Sequence, residues 1–269
     1  MRHLCLFLLV GLAGAPLCAR GQADSAPPPA FSRVEVARFA VVLGLGGLAY
    51  LADDAVREAV TRDAVQGNRV ADGLSDFGYV YGSPGVVGIG AALWVGGLVA
   101  DRPTIAVSGL RAIEAITVSG FVTRALKEAT GRARPDVAPH RRDDWQLLRG
   151  WRETGDDYEA MASGHATAAF AFAAAVTGEV ARRAPEHARL VGVTTYGLAA
   201  ITAYSRMHHD RHRLSDVTVG AGVGTVTAWA ITRWHATRPE NPIDRVFLRP
   251  TATMSPDGSA RLGFTILTR

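Results

Sequence analysis

A cluster of charged and titratable residues at positions 205–216 has the composition of a site that binds and attacks an anion. Three arginines, three histidines and two aspartates lie there between two apolar helical runs, where charge is costly unless it is paired or used. His212 and Asp216 are four residues apart and would share one face of a helix, so that Asp216 accepts the Nδ1 proton of His212 and leaves Nε2 as a nucleophile or base. Arg206 adds a fixed fork of donors that fits a phosphate group.

Two earlier segments supply matching parts. Lys127 and Arg134 place one mobile and one planar cation at the end of an apolar helix. The sequence Ser163-Gly164-His165 opens an alanine-rich helix, where free backbone N–H groups and the helix dipole favour an anion. The three segments together offer three cations, a helix N-terminus and two histidines, and that set suits phosphoryl transfer.

The order and spacing of these residues resemble the type 2 phosphatidic acid phosphatase and vanadium haloperoxidase superfamily. The three matching motifs are Lys127-x6-Arg134-Pro135, Ser163-Gly164-His165 and Ser205-Arg206-x5-His212-x3-Asp216. The superfamily usually has proline before Ser-Gly-His, whereas this chain has Ala162; proline would stiffen the turn but carries no chemistry. The resemblance covers residues 105–235 and implies a phosphatase of the bacterial exported branch.

The chemistry of the residues and the resemblance assign the same catalytic roles. His212 attacks phosphorus and forms a phosphohistidine, with Asp216 holding its tautomer. His165 protonates the leaving alcohol or phosphate and later activates water. Taken alone, His212 and Asp216 would also fit a structural hydrogen-bonded pair.

The predicted phosphate-binding groups are cations and donors from all three motifs: Lys127, Arg134, Ser163, Gly164 and Arg206. Because the three cations neutralise phosphate oxygens as magnesium does elsewhere, no metal or other cofactor is predicted. A metal site on the stripe His208, His212 and Asp216 is the alternative. The surrounding arginines oppose it, because they would repel a cation.

The predicted function is a metal-independent phosphatase that acts on lipid phosphate monoesters or polyprenyl diphosphates. A soluble non-specific acid phosphatase would carry the same motifs, and a vanadium-dependent haloperoxidase would use the same anion pocket for vanadate. A non-catalytic anion-binding membrane protein is a further alternative. The intact His165, His212 and Asp216 argue against it, since binding alone needs only the cations. The sequence does not indicate an oligomeric state.

The charge balance excludes one class of partner. The chain has 29 basic and 25 acidic residues and a net charge of +4, and loss of Arg2 and Arg20 with a cleaved leader would leave 27 basic residues. Such a balance, without a basic run interleaved with aromatic residues, predicts no nucleic-acid binding.

Residues 1–21 are predicted to be a secretory signal peptide, with Arg2 and His3 before an apolar core and small residues near its end. An uncleaved membrane anchor is the competing interpretation. Both cysteines, Cys5 and Cys18, fall in this segment, so the mature chain would have no thiol for a disulfide or a metal. These features predict export to a bacterial periplasm, with inner-membrane association and an active site that faces the periplasm.

The rest of the chain is predicted to contain a linker at 22–34, a phosphatase helical bundle at 35–240 and a tail at 241–269. Six apolar segments follow the leader, at 39–52, 79–100, 104–127, 161–180, 190–204 and 217–234. They predict an all-α bundle of about six core helices with the phosphate site at one end. A small β-hairpin is predicted in the tail around Ser255-Pro256-Asp257-Gly258. Composition leaves a soluble and a membrane-embedded bundle both open.

Residues 136–160 form a polar connection between the first two motifs. One interpretation is a solvated surface loop. The other is a lid whose Trp145 and Trp151 contact a membrane interface or a lipid tail.

Overall fold

A computed structural model of the chain describes residues 33–152, 155–248, 251–254 and 260–263. The predicted signal peptide at 1–21 and the linker up to residue 32 lie outside these ranges. Within them the fold is an all-α bundle, as predicted, apart from one short pair of strands.

Eleven α-helices lie in the described ranges, in this order: α1 (Arg33–Leu51), α2 (Asp53–Val60), α3 (Asp63–Gln66), α4 (Arg69–Val80), α5 (Val86–Val99), α6 (Pro103–Thr130), α7 (Arg149–Arg152), α8 (Gly164–Arg183), α9 (Pro185–His208), α10 (Leu214–Ala236) and α11 (Pro242–Leu248). A π-helical turn at Tyr81–Gly85, which contains Pro84, joins α4 to α5. Strands β1 (Thr251–Met254) and β2 (Ala260–Gly263) pair antiparallel, with Thr251 opposite Gly263. The predicted turn at 255–258 lies outside the described residues.

Local sequence signals set the ends of the helices that carry the motifs. Pro103 and Pro185 occupy the first turns of α6 and α9, where a missing N–H removes no helical hydrogen bond. α6 is followed by Gly131, whose φ of 53° is left-handed and favours glycine. A Cβ at this position would lie 1.9 Å from the carbonyl oxygen of Gln146. The chain can therefore turn away from α6 at this point only with glycine.

The alanine-rich helix α8 is the centre of the bundle. Residues 166–176 of this helix are almost all buried, and it packs against α6, α9 and α10. Small residues let the neighbouring helices approach closely, since a Cβ at Gly224 of α10 would lie 2.2 Å from the carbonyl oxygen of Thr167. This close packing fixes the start of α8, where the second motif lies.

All three motifs meet at one end of the bundle. Lys127 and Arg206 lie in the last turns of α6 and α9, while α8 and α10 begin there. Two helix C-termini and two helix N-termini therefore surround the predicted phosphate site.

The outside of the bundle is apolar along several helices. Four stretches of the described residues are long and apolar enough to cross a membrane, namely Arg33–Leu51, Arg69–Val99, Pro103–Thr130 and Leu214–Ala236. Large side chains on the first three, such as Leu43, Val95 and Phe121, are more than half exposed. Exposed apolar surface on helices of this length is typical of contact with lipid.

Candidate active site

The motif end of the bundle holds an open cavity of about 700 Å³. Its walls carry groups from all three motifs together with side chains from α4 and from the connecting segments: Asp76, Tyr79, Lys127, Arg134, Asp156, Glu159, Gly164, His165, Arg206, His209, Arg211 and His212. Six of the eight predicted site residues thus line one cavity. The other two, Ser163 and Asp216, are fully buried and do not line it.

His212 is a buried, neutral imidazole with one nitrogen fixed. It lies just before α10 and is 4% exposed. Its Nδ1 is 2.8 Å from the carbonyl oxygen of Ala160, and because a carbonyl only accepts, Nδ1 carries the hydrogen. Burial, followed by the charges of Lys127, Arg134 and Arg206, lowers the pKa of His212 well below its usual value. The lone pair on Nε2 is therefore available for attack.

The prediction that Asp216 holds the tautomer of His212 is wrong. α10 begins at Leu214, so His212 lies outside the helix and the four-residue spacing does not bring the two side chains to one face. Asp216 instead caps the helix, because its Oδ2 accepts a hydrogen bond of 2.8 Å from the backbone N–H of Arg213. Ala160 sets the tautomer of His212, and Asp216 has a structural role in this arrangement.

Asp216 belongs to a buried ion network that sequence analysis did not identify. Its Oδ1 accepts a hydrogen bond of 2.5 Å from Arg132, which also donates to Asp53 at 2.8 Å. Asp53 in turn accepts from the backbone N–H and the hydroxyl of Ser215. None of these four residues is more than 1% exposed, and charges so far from water are stable only when paired. The network fixes the start of α10 against α2.

Arg206 is the cation best placed to receive an anion. It is 6% exposed, and in the described part of the chain its Nε has no hydrogen-bond partner and its guanidinium has no carboxylate partner. The guanidinium carbon lies 5.3 Å from the ring centre of Tyr79. Burial, followed by Arg134 and Arg211, lowers the pKa of Arg206 to about 10, so it stays charged at neutral pH. A buried guanidinium of this kind favours an anion beside it.

The other two predicted cations, Lys127 and Arg134, already pair with residues of the segment 136–160, which connects the first two motifs. Lys127 Nζ donates a hydrogen bond of 2.9 Å to the carbonyl oxygen of Glu159 and lies 3.7 Å from its carboxylate. Arg134 donates to Asp156 twice, from Nε to the backbone oxygen at 2.6 Å and from Nη2 to Oδ2 at 2.7 Å. Arg211 donates to the same carboxylate oxygen at 2.6 Å. This connection therefore places two carboxylates at the cationic wall of the cavity.

His165 lies in the first turn of α8 beside the same cations. Its ring stacks on that of Tyr79, with ring centroids 5.1 Å apart and an interplanar angle of 21°. Burial, followed by the charge of Arg206, lowers the pKa of His165 to about 4. A phosphate bound among the cations would offset their charge and raise this pKa. The imidazole can then hold the proton that a general acid needs.

The N-terminus of α8 supplies the remaining donors. Ser163 is the N-cap residue, and its hydroxyl has no hydrogen-bond partner within the described ranges. Gly164 lines the cavity, and no neighbouring atom lies within 4 Å of the place where a Cβ would stand. The backbone at this helix start is therefore open, which is what the predicted phosphate-binding role of Gly164 requires.

Besides Ala160, sequence analysis missed several other residues that shape the site. Tyr79 lies far upstream of the motifs, at the start of the apolar segment 79–100, which was interpreted only as part of the bundle. Asp156 and Glu159 belong to the connection interpreted as a loop or lid. Arg132 lies inside the first motif, which was a usable signal, whereas no spacing relates Asp53 to any motif.

Comparisons with known proteins are consistent with this geometry. The sequence profile of the PAP2 superfamily matches residues 108–240, which include all three motifs. The fold is similar to the crystal structure of a transmembrane PAP2 type phosphatidylglycerolphosphate phosphatase from Bacillus subtilis, with a TM-score of 0.54 and 20% sequence identity over 74% of this chain and 94% of that chain. No curated protein matches the sequence. The motifs, their convergence at one cavity and the profile match show that the chain belongs to the PAP2 superfamily.

Proposed function

We propose that this chain is a metal-independent phosphatase that hydrolyses lipid phosphate monoesters or polyprenyl diphosphates through a phosphohistidine intermediate. One observation carries the proposal. The neutral imidazole of His212, with Nδ1 bound to Ala160, lines the same cavity as the buried cation Arg206. A free imidazole lone pair attacks phosphorus, and a guanidinium of this kind holds the oxygens of the phosphate.

In the first step, Nε2 of His212 forms a bond to phosphorus while the bond from phosphorus to the leaving oxygen breaks. The proton on His165 moves to that oxygen, so the alcohol or prenyl phosphate departs without an extra negative charge. Arg206, Lys127 and the N–H groups at the start of α8 hold the non-bridging oxygens. The ring of His212 becomes positively charged, and the carbonyl oxygen of Ala160 stabilises it by accepting the Nδ1–H hydrogen bond.

In the second step, the phosphate is transferred to water. His165, now neutral, takes a proton from a water molecule as the water oxygen bonds to phosphorus. The bond from phosphorus to Nε2 breaks, and its electron pair returns to His212. Inorganic phosphate leaves, and both histidines regain their starting protonation states.

The proposed substrate class follows from the setting of the site. The four apolar helical stretches and the likeness to a transmembrane enzyme support membrane association. The name of that enzyme describes a lipid phosphate substrate, and a cavity at one end of a membrane bundle is suited to a headgroup at the interface. With the leader predicted at 1–21, we place the cavity on the periplasmic side of a bacterial inner membrane.

The test is phosphate release by protein purified in detergent, with dioctanoyl phosphatidic acid and 4-nitrophenyl phosphate as substrates, each with and without EDTA. We expect hydrolysis of the lipid that EDTA does not reduce. His212→Ala should lower the rate at least about 1,000-fold, as the loss of a covalent nucleophile does in other enzymes. His187→Ala is the matched control, because His187 is exposed near the start of α9, at the other end of that helix from Arg206.

A second measurement tests the covalent step. Protein mixed with a lipid carrying radiolabelled phosphate and quenched in alkali should retain label in the wild type and in His187→Ala but not in His212→Ala. Label retained by His212→Ala would refute the nucleophile assignment, and inhibition by EDTA would refute the metal-free scheme. Release from 4-nitrophenyl phosphate alone would favour a non-specific acid phosphatase. Halide oxidation with added vanadate would favour a haloperoxidase.

A further inference from the structure

The ring of Tyr79 contacts His165, the proposed general acid, and Arg206, a proposed phosphate-binding residue. Tyr79 of α4 is 47% exposed and lines the cavity. Its ring stacks on His165 at 5.1 Å, and the guanidinium carbon of Arg206 lies 5.3 Å from its centre. Tyr79 lies outside the matched range 108–240, so no motif of the sequence assigns it a role.

Tight packing of α4 on α9 holds this ring in place. A Cβ at Gly78 would lie 2.7 Å from the carbonyl oxygen of Ile201, and one at Gly82 would lie 2.2 Å from Cγ2 of Thr202. The hydroxyl of Thr202 donates a hydrogen bond of 3.1 Å to the carbonyl oxygen of Gly78. Backbones that approach this closely leave little freedom for sliding. The position of Tyr79 relative to the last turns of α9 is therefore fixed.

We propose that Tyr79 is a positioning residue, whose ring keeps the imidazole of His165 and the guanidinium of Arg206 in the arrangement that protonates the leaving oxygen of a bound phosphate ester. The inference rests on the proposed function. Offset stacking restricts rotation of the half-buried imidazole. The face of the ring attracts the guanidinium without occupying its N–H groups, so Arg206 is held in place with its donors still directed to an anion. A carboxylate at the same place would compete with the phosphate.

The experiment compares two esters that differ in their need for a general acid. In hydrolysis of dioctanoyl phosphatidic acid the leaving group is the alkoxide of diacylglycerol, which must be protonated as it departs. In hydrolysis of 4-nitrophenyl phosphate the leaving group is 4-nitrophenolate, which departs readily without a proton. The measured quantity is kcat/KM, which covers the steps up to departure of the leaving group and excludes hydrolysis of the intermediate. A positioned general acid raises the reaction rate about 100- to 10,000-fold. Partial misplacement of His165 in Tyr79→Leu should therefore lower kcat/KM for the lipid by at least roughly tenfold more than for the nitrophenyl ester.

Two further variants separate positioning from folding. Tyr79→Phe keeps the stacked ring and should hydrolyse both esters within about twofold of the wild type. Phe77→Leu removes an aromatic ring from the same helix, one that stacks on Tyr81 at 6.0 Å and does not line the cavity, and it should leave both rates unchanged.

Three results would overturn the inference: no loss in Tyr79→Leu, an equal loss on both esters, or a selective loss that Tyr79→Phe does not restore. If the wild type hydrolyses neither ester, the proposed function itself fails. If the wild type is active and the selective loss is missing, only the role of Tyr79 fails.

Discussion

A phosphate that binds to Arg134, as the first motif predicts, would have to displace a carboxylate that the chain itself supplies. Asp156 accepts hydrogen bonds from Arg134 at 2.7 Å and from Arg211 at 2.6 Å. Those two arginines hold the pKa of Asp156 below its usual value even though burial acts in the opposite direction. Asp156→Asn removes the negative charge and should therefore make binding of an oxyanion tighter.

The magnitude follows from the exposure of the two ion pairs. The side chain of Asp156 is 53% exposed and that of Arg211 is 28% exposed, so solvent screens both pairs. Each such pair is worth about 0.2–1 kcal/mol. Loss of both lowers the cost of displacing the carboxylate by about 0.4–2 kcal/mol, which corresponds to an inhibition constant for vanadate roughly 2- to 30-fold lower than that of the wild type.

The assay is inhibition of lipid phosphate hydrolysis by vanadate at fixed ionic strength. Asp136→Asn is the matched control, because it changes net charge equally and also removes a 2.6 Å bond to Arg211, but Asp136 does not line the cavity. Its inhibition constant should stay within about twofold of the wild type. If Asp156→Asn binds vanadate no more tightly than Asp136→Asn does, the carboxylate is not a competitor of phosphate and the reasoning is wrong.

Three further predictions concern the two histidines and the buried ion network. In ¹³C NMR spectra of labelled protein, His212 should show no titration between about pH 5 and pH 8, because its pKa is well below the usual value; a midpoint near the ordinary imidazole value would refute a neutral nucleophile. His165 should titrate near pH 4 in protein without ligand and at higher pH with vanadate, because the anion offsets the neighbouring cations; an unchanged midpoint would contradict the proposed proton transfer. Asp216→Ala should lower the free energy of unfolding by roughly 3–5 kcal/mol, because Arg132 stays buried without one of its two carboxylates. Chemical unfolding in detergent measures this difference, and a loss under about 1 kcal/mol would show that the network contributes little.

The sequence predicted which segments meet, because the motif residues lie at the ends of apolar helices. Burial of a polar or charged side chain at a helix end costs free energy inside an apolar bundle unless that end reaches a polar site. A cation in the last turn of one helix and a serine at the start of another therefore indicate that both ends share such a site. Lys127, Ser163 and Arg206 all follow this rule, and six of the eight predicted residues line the cavity. The all-α fold followed from the same apolar segments.

Atomic partners were not predictable in the same way. The spacing of His212 and Asp216 fits one helix face only if the helix is continuous, but α9 ends at His208 and α10 begins at Leu214. Asp210, with a φ of 53°, turns the chain between them. The pairing of Arg134 with Asp156 joins residues 22 positions apart in the chain, across a segment that is irregular apart from the short helix α7. Neither the turn nor the loop closure has a periodic signal, so only the folded structure shows which charges are paired.

The partner of the proposed nucleophile decides whether that nucleophile can work among three cations. A carboxylate on Nδ1 would stabilise the protonated imidazole and raise the pKa of His212. The carbonyl oxygen of Ala160 also accepts the Nδ1 hydrogen but carries no net charge, so the ring stays neutral and keeps its lone pair. The backbone N–H of Ala160 donates to the carbonyl oxygen of Arg132 at 3.1 Å, and that of His212 donates to the carbonyl oxygen of Arg206 at 3.2 Å, so both partners are anchored to the first and third motifs through the main chain. A backbone group can come from any residue type, and this explains why no motif contains residue 160 although the chemistry depends on it.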